Sequence, residues 1–160
     1  MLVSRTEPTA RSSEKAETIV LPRAVVRVHI DDVPDAVLGF LNEAAACETH
    51  GLYYAAAMMY RRALEQICID RSATGANLEQ RIDALCASHG LDDLVRQAMH
   101  DVRQYGNDAA HSVKSFKEIG TAEAEAARLV LQHIAHHVYA RSRELRRLAE
   151  LKRPPAADPT

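Results

Sequence analysis

YYAAAMMYRRALEQI, residues 53–67, is the stretch of the sequence that predicts the fold most directly. Its apolar side chains recur every three or four residues, which places them along one face of an α-helix. That face consists of Tyr53, Ala57, Tyr60, Leu64 and Ile67. It is widened by Met58, Met59 and Cys68. Because a helix with so wide an apolar face needs neighbours on several sides, we predict a central helix over residues 52–71.

A second helix is predicted on the N-terminal side of this stretch, over residues 32–49. Asp31 or Asp32 is a candidate N-cap, and Pro34 suits the first helical turn, where its missing N–H costs nothing. Residues 24–30, AVVRVHI, are β-prone and predict either a short strand or an extended segment that lies on the bundle.

Three further helices are predicted on the C-terminal side, over residues 78–89, 91–105 and 121–150. Asn77 and Gly90 are the expected boundaries of the first, as N-cap and terminating glycine. Gly106 interrupts the chain after the second, and a short helical turn is expected from Asp108. Thr121 is the expected cap of the third.

The composition agrees with an all-α protein of one domain. The chain has 160 residues, of which 47% are hydrophobic, and only 6 are Gly and 6 Pro. We predict a bundle of four to five helices over residues 33–150, with flexible segments over 1–32 and 151–160. Aromatic residues make up only 4% and Trp is absent, which argues against an aromatic platform for stacking bases.

The cysteines and the apolar runs predict a soluble, cytoplasmic protein. Cys47, Cys68 and Cys86 are odd in number, form no CxxC pair and lie on apolar helix faces, as expected of reduced core thiols. The longest apolar run covers residues 52–60, whereas a membrane span needs about 20 residues. No signal peptide is apparent, and no membrane association is expected.

Charge is distributed unevenly along the chain, although the formal net charge is only -2. Residues 34–140 are predominantly acidic, whereas residues 141–153 are predominantly basic. The arginines of this basic stripe are Arg141, Arg143, Arg146 and Arg147. They either complement the dipole at a helix C-terminus or contact the phosphates of a nucleic acid.

The motif with the most chemical content is RQYGNDAAH, residues 103–111. If one helix runs through it, Arg103, Asn107 and His111 follow one another at intervals of four residues along one face. If Gly106 ends the helix, Asn107 caps a new one, whose free N–H groups form an anion site. Both geometries bring a guanidinium, an amide and an imidazole close together.

Such a cluster suits phosphoryl chemistry without a metal. Arg103 would neutralise a phosphate, Asn107 would position it and His111 would act as general acid or base. RNA supplies its own nucleophile in the 2′-hydroxyl group. Asp108 argues against this hypothesis, because its charge would repel a phosphate. The structural alternative is that Arg103 forms an ion pair, that Gly106-Asn107 stops a helix and that His111 packs against the bundle.

Two motifs together resemble the family of domain of unknown function 4145, which has the form "RraLE" followed by "R..GN..aH". The matching positions are Arg61, Arg62, Ala63, Leu64 and Glu65, then Arg103, Gly106, Asn107, Ala110 and His111. The similarity covers roughly residues 34–140. Members of this family are grouped with the HEPN superfamily, which implies a helical bundle that often dimerises and, in many members, a metal-independent ribonuclease. The resemblance implies that Arg103, Asn107 and His111 form the site, although seven residues separate Arg103 from His111 instead of four to six.

Residues of the central helix are candidates for supporting this site. These residues are Arg61, Arg62 and Glu65. The spacing of four residues predicts a salt bridge between Arg61 and Glu65. Alternatively, the three residues support the site, and the Glu65 carboxylate orients Arg103 or His111. On the last helix, His133 and His137 have the spacing of metal ligands, but no acidic third ligand lies nearby. We therefore expect neither a metal nor another cofactor.

Two functions remain open from the sequence. The first is a metal-independent RNA-binding or endoribonuclease effector of the defence or toxin type. The second is a non-catalytic helical module for dimerisation or protein interaction. The expected partners are accordingly a second copy of the chain, RNA, or another protein.

Overall fold

The computed structural model describes residues 27–111 and 118–152, and every regular element in these two ranges is helical. This confirms the predicted all-α class. The helices are α1 (Asp35–Thr49), α2 (Tyr53–Asp70), α3 (Leu78–His89), α4 (Asp93–Ala110), α5 (Thr121–Ala135) and α6 (Arg141–Leu151), with a π-helical turn (His136–Ala140) between the last two. Most of the two predicted flexible segments lies outside the described residues.

Helix α2 occupies the centre of the bundle, as predicted. It packs against α1, α3, α4 and α5. Its buried residues are Ala56, Ala57, Tyr60, Ala63, Leu64, Ile67 and Cys68. The alanines among them are small, so neighbouring helices can approach α2 closely. This close approach determines the geometry of the site described below.

Both predicted boundaries of α3, Asn77 and Gly90, are confirmed. The Asn77 side chain accepts a hydrogen bond from the backbone N–H of Gln80 at 3.0 Å, which satisfies one of the free donors of the first turn. Gly90 ends the helix in the left-handed conformation, with φ of 64°.

The predicted caps of α1 and α5 are wrong. Pro34 is the N-cap of α1, and no side chain caps this helix. Asp32 has a φ of 64°, and its carboxylate instead binds Arg143 at 2.7 Å. Gly120, rather than Thr121, is the N-cap of α5, and its N–H donates to the Glu123 carboxylate at 3.1 Å.

The described part of the segment 24–30 forms no strand and packs on α1. Val28 is buried, and its backbone N–H donates to the Asn42 side chain at 2.8 Å. The alternative of a segment that lies on the bundle therefore fits residues 27–30, and residues 24–26 lie outside the described chain.

The predicted helix over 121–150 is divided by the π-helical turn. Arg71, at the C-terminus of α2, donates a hydrogen bond to the Val138 carbonyl oxygen at 2.8 Å, and its guanidinium stacks 4.1 Å above the Tyr139 ring. A side chain that binds a helix carbonyl in this way accounts for a local widening of the helix. The turn therefore anchors the start of α6 to the bundle.

A polar cluster links three helices beneath the surface. The Tyr60 hydroxyl of α2 donates to the Glu48 carboxylate of α1 at 2.6 Å, and Arg128 of α5 binds the same carboxylate at 3.2 Å. Tyr60 is fully buried, and Glu48 and Arg128 are only 14% and 17% exposed. These contacts hold α1 and α5 in register against α2.

Tyr60→Phe is expected to lower the free energy of unfolding by about 1.5 kcal/mol at pH 7, because a hydrogen bond to a charged acceptor is lost. Burial, followed by the hydrogen bond to Glu48, raises the pKa of Tyr60 above its ordinary value. The folded state therefore holds this proton more tightly than the unfolded state, and the resulting stability is lost as pH rises above about 10. Urea unfolding from pH 7 to 11 should show a shallower alkaline decline for Tyr60→Phe than for the wild type. Parallel declines would contradict this assignment.

Two structural findings concern the predicted solubility and the predicted reduced thiols. Between residues 27 and 152, apart from the undescribed 112–117, no helix combines the length and the apolar character needed to cross a membrane. Cys68 and Cys86 are buried as predicted, whereas Cys47 is partly exposed, and all three are free thiols.

Candidate functional site

The site is built where α4 crosses α2. Gly106 of α4 is buried directly against Arg61 of α2. A Cβ atom at Gly106 would lie 2.4 Å from the Cβ and 2.6 Å from the Cδ of Arg61. Only glycine allows the two helices to approach this closely.

Helix α4 continues through Gly106 to Ala110, so the predicted end at residue 105 is wrong. Helix packing against Arg61 outweighs the weak helix propensity of glycine. Asn107 is therefore inside the helix and not an N-cap, and the alternative of an anion site made by free N–H groups is excluded. His111 is the C-cap, and its N–H donates to the Asn107 carbonyl oxygen at 3.0 Å.

A hydrogen bond between side chains joins the two helices at this crossing. The Nε of Arg61 donates to the Oδ1 of Asn107 at 3.0 Å. Both side chains are partly buried, so this bond fixes the plane of the guanidinium, and its terminal nitrogens make no hydrogen bond with residues 27–111 or 118–152.

A pocket of about 230 Å³ opens beside this bond. It is lined by Met58, Arg61, Gly106, Asn107, Ala110 and His111. Among the described residues, no carboxylate contributes to its wall. A guanidinium, an amide and an exposed imidazole on a partly apolar wall suit an anion that carries an organic group.

The structure brings Asn107 and His111 to this pocket but places Arg103 outside it. The Arg103 guanidinium pairs with Glu79 of α3 at 3.4 Å and is 22% exposed. Each step of four residues turns about 40° around a helix, so three residues at this interval spread over a wide arc. The guanidinium in the pocket belongs to Arg61, for which the sequence predicts only a supporting role.

The predicted salt bridge between Arg61 and Glu65 is wrong. Glu65 instead accepts a hydrogen bond from Arg62 at 2.9 Å, and the Arg62 guanidinium lies 5.5 Å from the centre of the Phe40 ring. Both members of this pair lie outside the pocket. The expectation that Glu65 orients Arg103 or His111 therefore has no contact to support it in the described residues.

Asp108, whose charge is unfavourable for binding a phosphate, does not line the pocket. Its carboxylate accepts a hydrogen bond from Gln104 at 2.8 Å, one turn earlier on α4. The sequence places Asp108 next to Asn107, but the helix separates their side chains by about 100°.

The predicted basic stripe lies on α6, away from this pocket. Arg143 binds both carboxylate oxygens of Asp32 at 2.7 Å, which neutralises its charge locally. Arg147 is exposed. The side chains of Arg141 and Arg146 lie outside the described part of the structure.

Among the described residues, the histidines of α5 and of the π-helical turn have no third side chain near them that could bind a metal. The rings of His133 and His137 are 6.4 Å apart, and the Nε2 of His137 lies 3.3 Å from the His89 carbonyl oxygen. In the described ranges, no three His, Cys, Asp or Glu side chains come close enough together to hold a metal ion.

Comparison with known proteins gives one result. Searches of curated proteins and of solved structures find no match. The model of the family described as Domain of unknown function (DUF4145) matches residues 42–153, which include α2, α4 and every residue of the pocket wall. Because this match covers more than half of the chain, the protein belongs to the DUF4145 family.

Proposed function

We propose that the protein is an HEPN-like domain that binds RNA in the pocket between α2 and α4 and cleaves it without a metal. Arg61 binds the phosphate, Asn107 orients Arg61, and His111 acts as general acid or base. Arg103 lies one turn away and keeps Glu79 as its partner. Arg147 of α6, which is exposed, contributes general attraction for the RNA backbone.

The observation that carries this proposal is that Arg61 has no carboxylate partner in the part of the chain that the structure describes. Six other arginines of the described chain pair with carboxylates, and these are Arg62, Arg71, Arg96, Arg103, Arg128 and Arg143. Arg61 is held by a neutral amide instead. A cation that is fixed in place, borders a pocket and lacks a described carboxylate partner is well suited to bind an anionic ligand.

Cleavage requires a nucleophile, which the RNA supplies, and a proton carrier, which is the His111 imidazole. The 2′-hydroxyl of RNA attacks the adjacent phosphorus, a bond from the 2′-oxygen forms, and the bond to the 5′-oxygen breaks. Neutral His111 accepts the 2′-hydroxyl proton as that oxygen attacks, and a solvent water gives a proton to the leaving 5′-oxygen; the hydroxide so formed then takes the proton from His111. Arg61 stabilises the charge that builds on the phosphate oxygens. The products are a 2′,3′-cyclic phosphate and a 5′-hydroxyl end.

A non-catalytic interaction module is the second candidate, and one observation favours it. The bond between Arg61 and Asn107 joins two core helices, so both residues have a structural role whether or not a ligand binds. Under this alternative, His111 only caps α4.

Arg61→Met and His111→Ala separate the two candidates. In fluorescence anisotropy with a labelled single-stranded RNA, Arg61→Met should bind about 10-fold more weakly and reduce the salt dependence by about one phosphate contact. With EDTA present, His111→Ala should cleave at least about 100-fold more slowly than the wild type, as judged by the appearance of 5′-hydroxyl ends.

Two matched variants serve as controls. Arg62→Met removes a neighbouring guanidinium that already pairs with Glu65, and His50→Ala removes an exposed histidine that caps α1 as His111 caps α4. Both should behave like the wild type. Equal RNA affinity of Arg61→Met and Arg62→Met would exclude the pocket as the RNA site, and absence of cleavage by the wild type would leave the interaction module.

A further inference from the structure

Met58 is the methionine of the described chain that is most open to solvent. It is 40% exposed, and its side chain lines the pocket between α2 and α4. Met59 packs against the core, and Met99 is fully buried, with its Sδ 3.7 Å from the Sγ of Cys86. Because the thioether sulfur is the atom that peroxides oxidise in methionine, the exposed Met58 meets an oxidant before the other two.

Arg61 lies beside Met58 on the same helix. Residues three positions apart are neighbours on a helix surface, with their Cβ atoms about 5–6 Å apart. The Arg61 side chain packs against Gly106 and its Nε is bound to Asn107, so its guanidinium stays in place at the pocket. Met58 has an unbranched and flexible side chain, so its sulfur can move toward that guanidinium.

We propose that Met58 is an oxidation site and that its sulfoxide blocks the pocket. Hydrogen peroxide transfers one oxygen atom to the sulfur: an S–O bond forms, the O–O bond breaks, and the peroxide is reduced to water as the sulfur is oxidised. The new oxygen accepts a hydrogen bond from a terminal nitrogen of Arg61 and so takes the place of an RNA phosphate. The effect on RNA rests on the proposed function, whereas the oxidation and the hydrogen bond do not.

The surroundings of Arg61 make its guanidinium sensitive to this change. Thioether sulfur is a weak acceptor, whereas the sulfoxide is polar and carries a strong acceptor oxygen. That oxygen is attached one turn away on the same helix, so it competes with a phosphate at a high effective concentration. Arg62 already pairs with Glu65 and offers the sulfoxide no comparable position. Methionine sulfoxide reductases reverse the reaction, so RNA binding would follow the redox state of Met58.

Peroxide treatment of the full chain tests the oxidation site. Tandem mass spectrometry should show Met58 oxidised at least about 10-fold faster than the buried Met99, and faster than the adjacent Met59. The oxidised wild type should bind single-stranded RNA about 10-fold more weakly than the reduced chain, which is the loss expected for Arg61→Met. Methionine sulfoxide reductases, each of which reduces one epimer, should restore binding.

Met58→Leu is the matched control for this treatment. It keeps an apolar side chain of similar volume but has no sulfur. Its RNA affinity should therefore be the same before and after peroxide. Oxidation of Cys47 or of the other methionines occurs in this variant as well, so a loss of affinity that it shares with the wild type would contradict the assignment to Met58.

Met58→Gln tests the hydrogen bond without an oxidant. Its amide oxygen is an acceptor at nearly the same place as the sulfoxide oxygen. This variant should bind RNA about 10-fold more weakly than Met58→Leu, whereas the two should bind equally when each is combined with Arg61→Met. Equal affinities of Met58→Gln and Met58→Leu in the presence of Arg61 would overturn the proposal.

NMR spectroscopy of the arginine side chains gives a readout that needs no RNA. When Met58 is oxidised, the terminal N–H groups of Arg61 should exchange with water more slowly, whereas those of Arg62 should not change. If the reduced wild type binds no RNA, the proposed function fails, and this measurement alone decides whether the sulfoxide occupies Arg61. Unchanged exchange at Arg61 after oxidation of Met58 would exclude it.

Discussion

Gly106→Ala is expected to lower the free energy of unfolding by about 2 kcal/mol, although alanine is the better helix former by about 1 kcal/mol. The new Cβ would lie 2.4 Å from the Cβ of Arg61, an atom close to the backbone that cannot swing aside. Helices α2 and α4 must therefore move apart. This movement stretches the bond between Arg61 and Asn107, so the variant should also lose affinity for RNA. Chemical denaturation monitored by circular dichroism measures the first effect.

Gly39→Ala is the matched control for this variant. Gly39 also lies inside a helix, α1, but a Cβ there would meet nothing within 4 Å. The same substitution should therefore raise the free energy of unfolding by about 0.5–1 kcal/mol, because alanine costs less backbone entropy. Opposite signs for the two variants are the expected result. If both stabilise the protein, the helix crossing at Gly106 is not tight.

Glu48→Ala is expected to lower the free energy of unfolding by about 3 kcal/mol. The substitution removes the acceptor of the buried Tyr60 hydroxyl and the main partner of Arg128. Two polar groups then lie in poorly solvated positions without their principal hydrogen bond. Among the described carboxylates, Arg128 then keeps Glu125, whose side chain is 54% exposed. Thermal and urea unfolding should both show the loss.

Glu65→Ala tests whether the loss of stability in Glu48→Ala comes from the burial of the Glu48 ion pair and not from the loss of an ion pair as such. Glu65 also pairs with an arginine, but Arg62 is 51% exposed and Glu65 is 24% exposed. Surface pairs of this kind contribute at most about 1 kcal/mol, so this variant should cost far less. A cost equal to that of Glu48→Ala would show that the Glu48 cluster has no special role in joining α1, α2 and α5.

The sequence predicts both boundaries of α3 from local signals, although it misplaces the N-caps of α1 and α5. Asn77 and Gly90 bound α3 as expected, because capping depends on residues that are neighbours in the chain. Gly106 predicts a helix end by the same kind of local signal, but α4 continues through it. Its role depends on Arg61, which is 45 residues away in the sequence, and no helical periodicity contains that contact.

The sequence predicts only those parts of the candidate site that are close together in the chain. Asn107 and His111 lie together because both belong to one end of α4. Arg103 belongs to the same motif, but Glu79 of α3 attracts it, and Arg61 of α2 supplies the guanidinium of the pocket. Both of these pairings cross between helices, so they follow from how the helices pack and not from spacing within a motif.

The π-helical turn between α5 and α6 has a consequence for chain length. Such a turn contains one residue more than an α-helix needs at that place. A π-helical turn rotates less per residue than the roughly 100° of an α-helix, so it absorbs its extra residue without turning the chain that follows. Loss of one residue within His136–Ala140 would therefore restore a continuous α-helix while Leu148 of α6 kept nearly the same direction around the axis. The turn is thus the place where this helix can lose a residue, whereas the same loss within α5 or α6 would rotate every later side chain by about 100°.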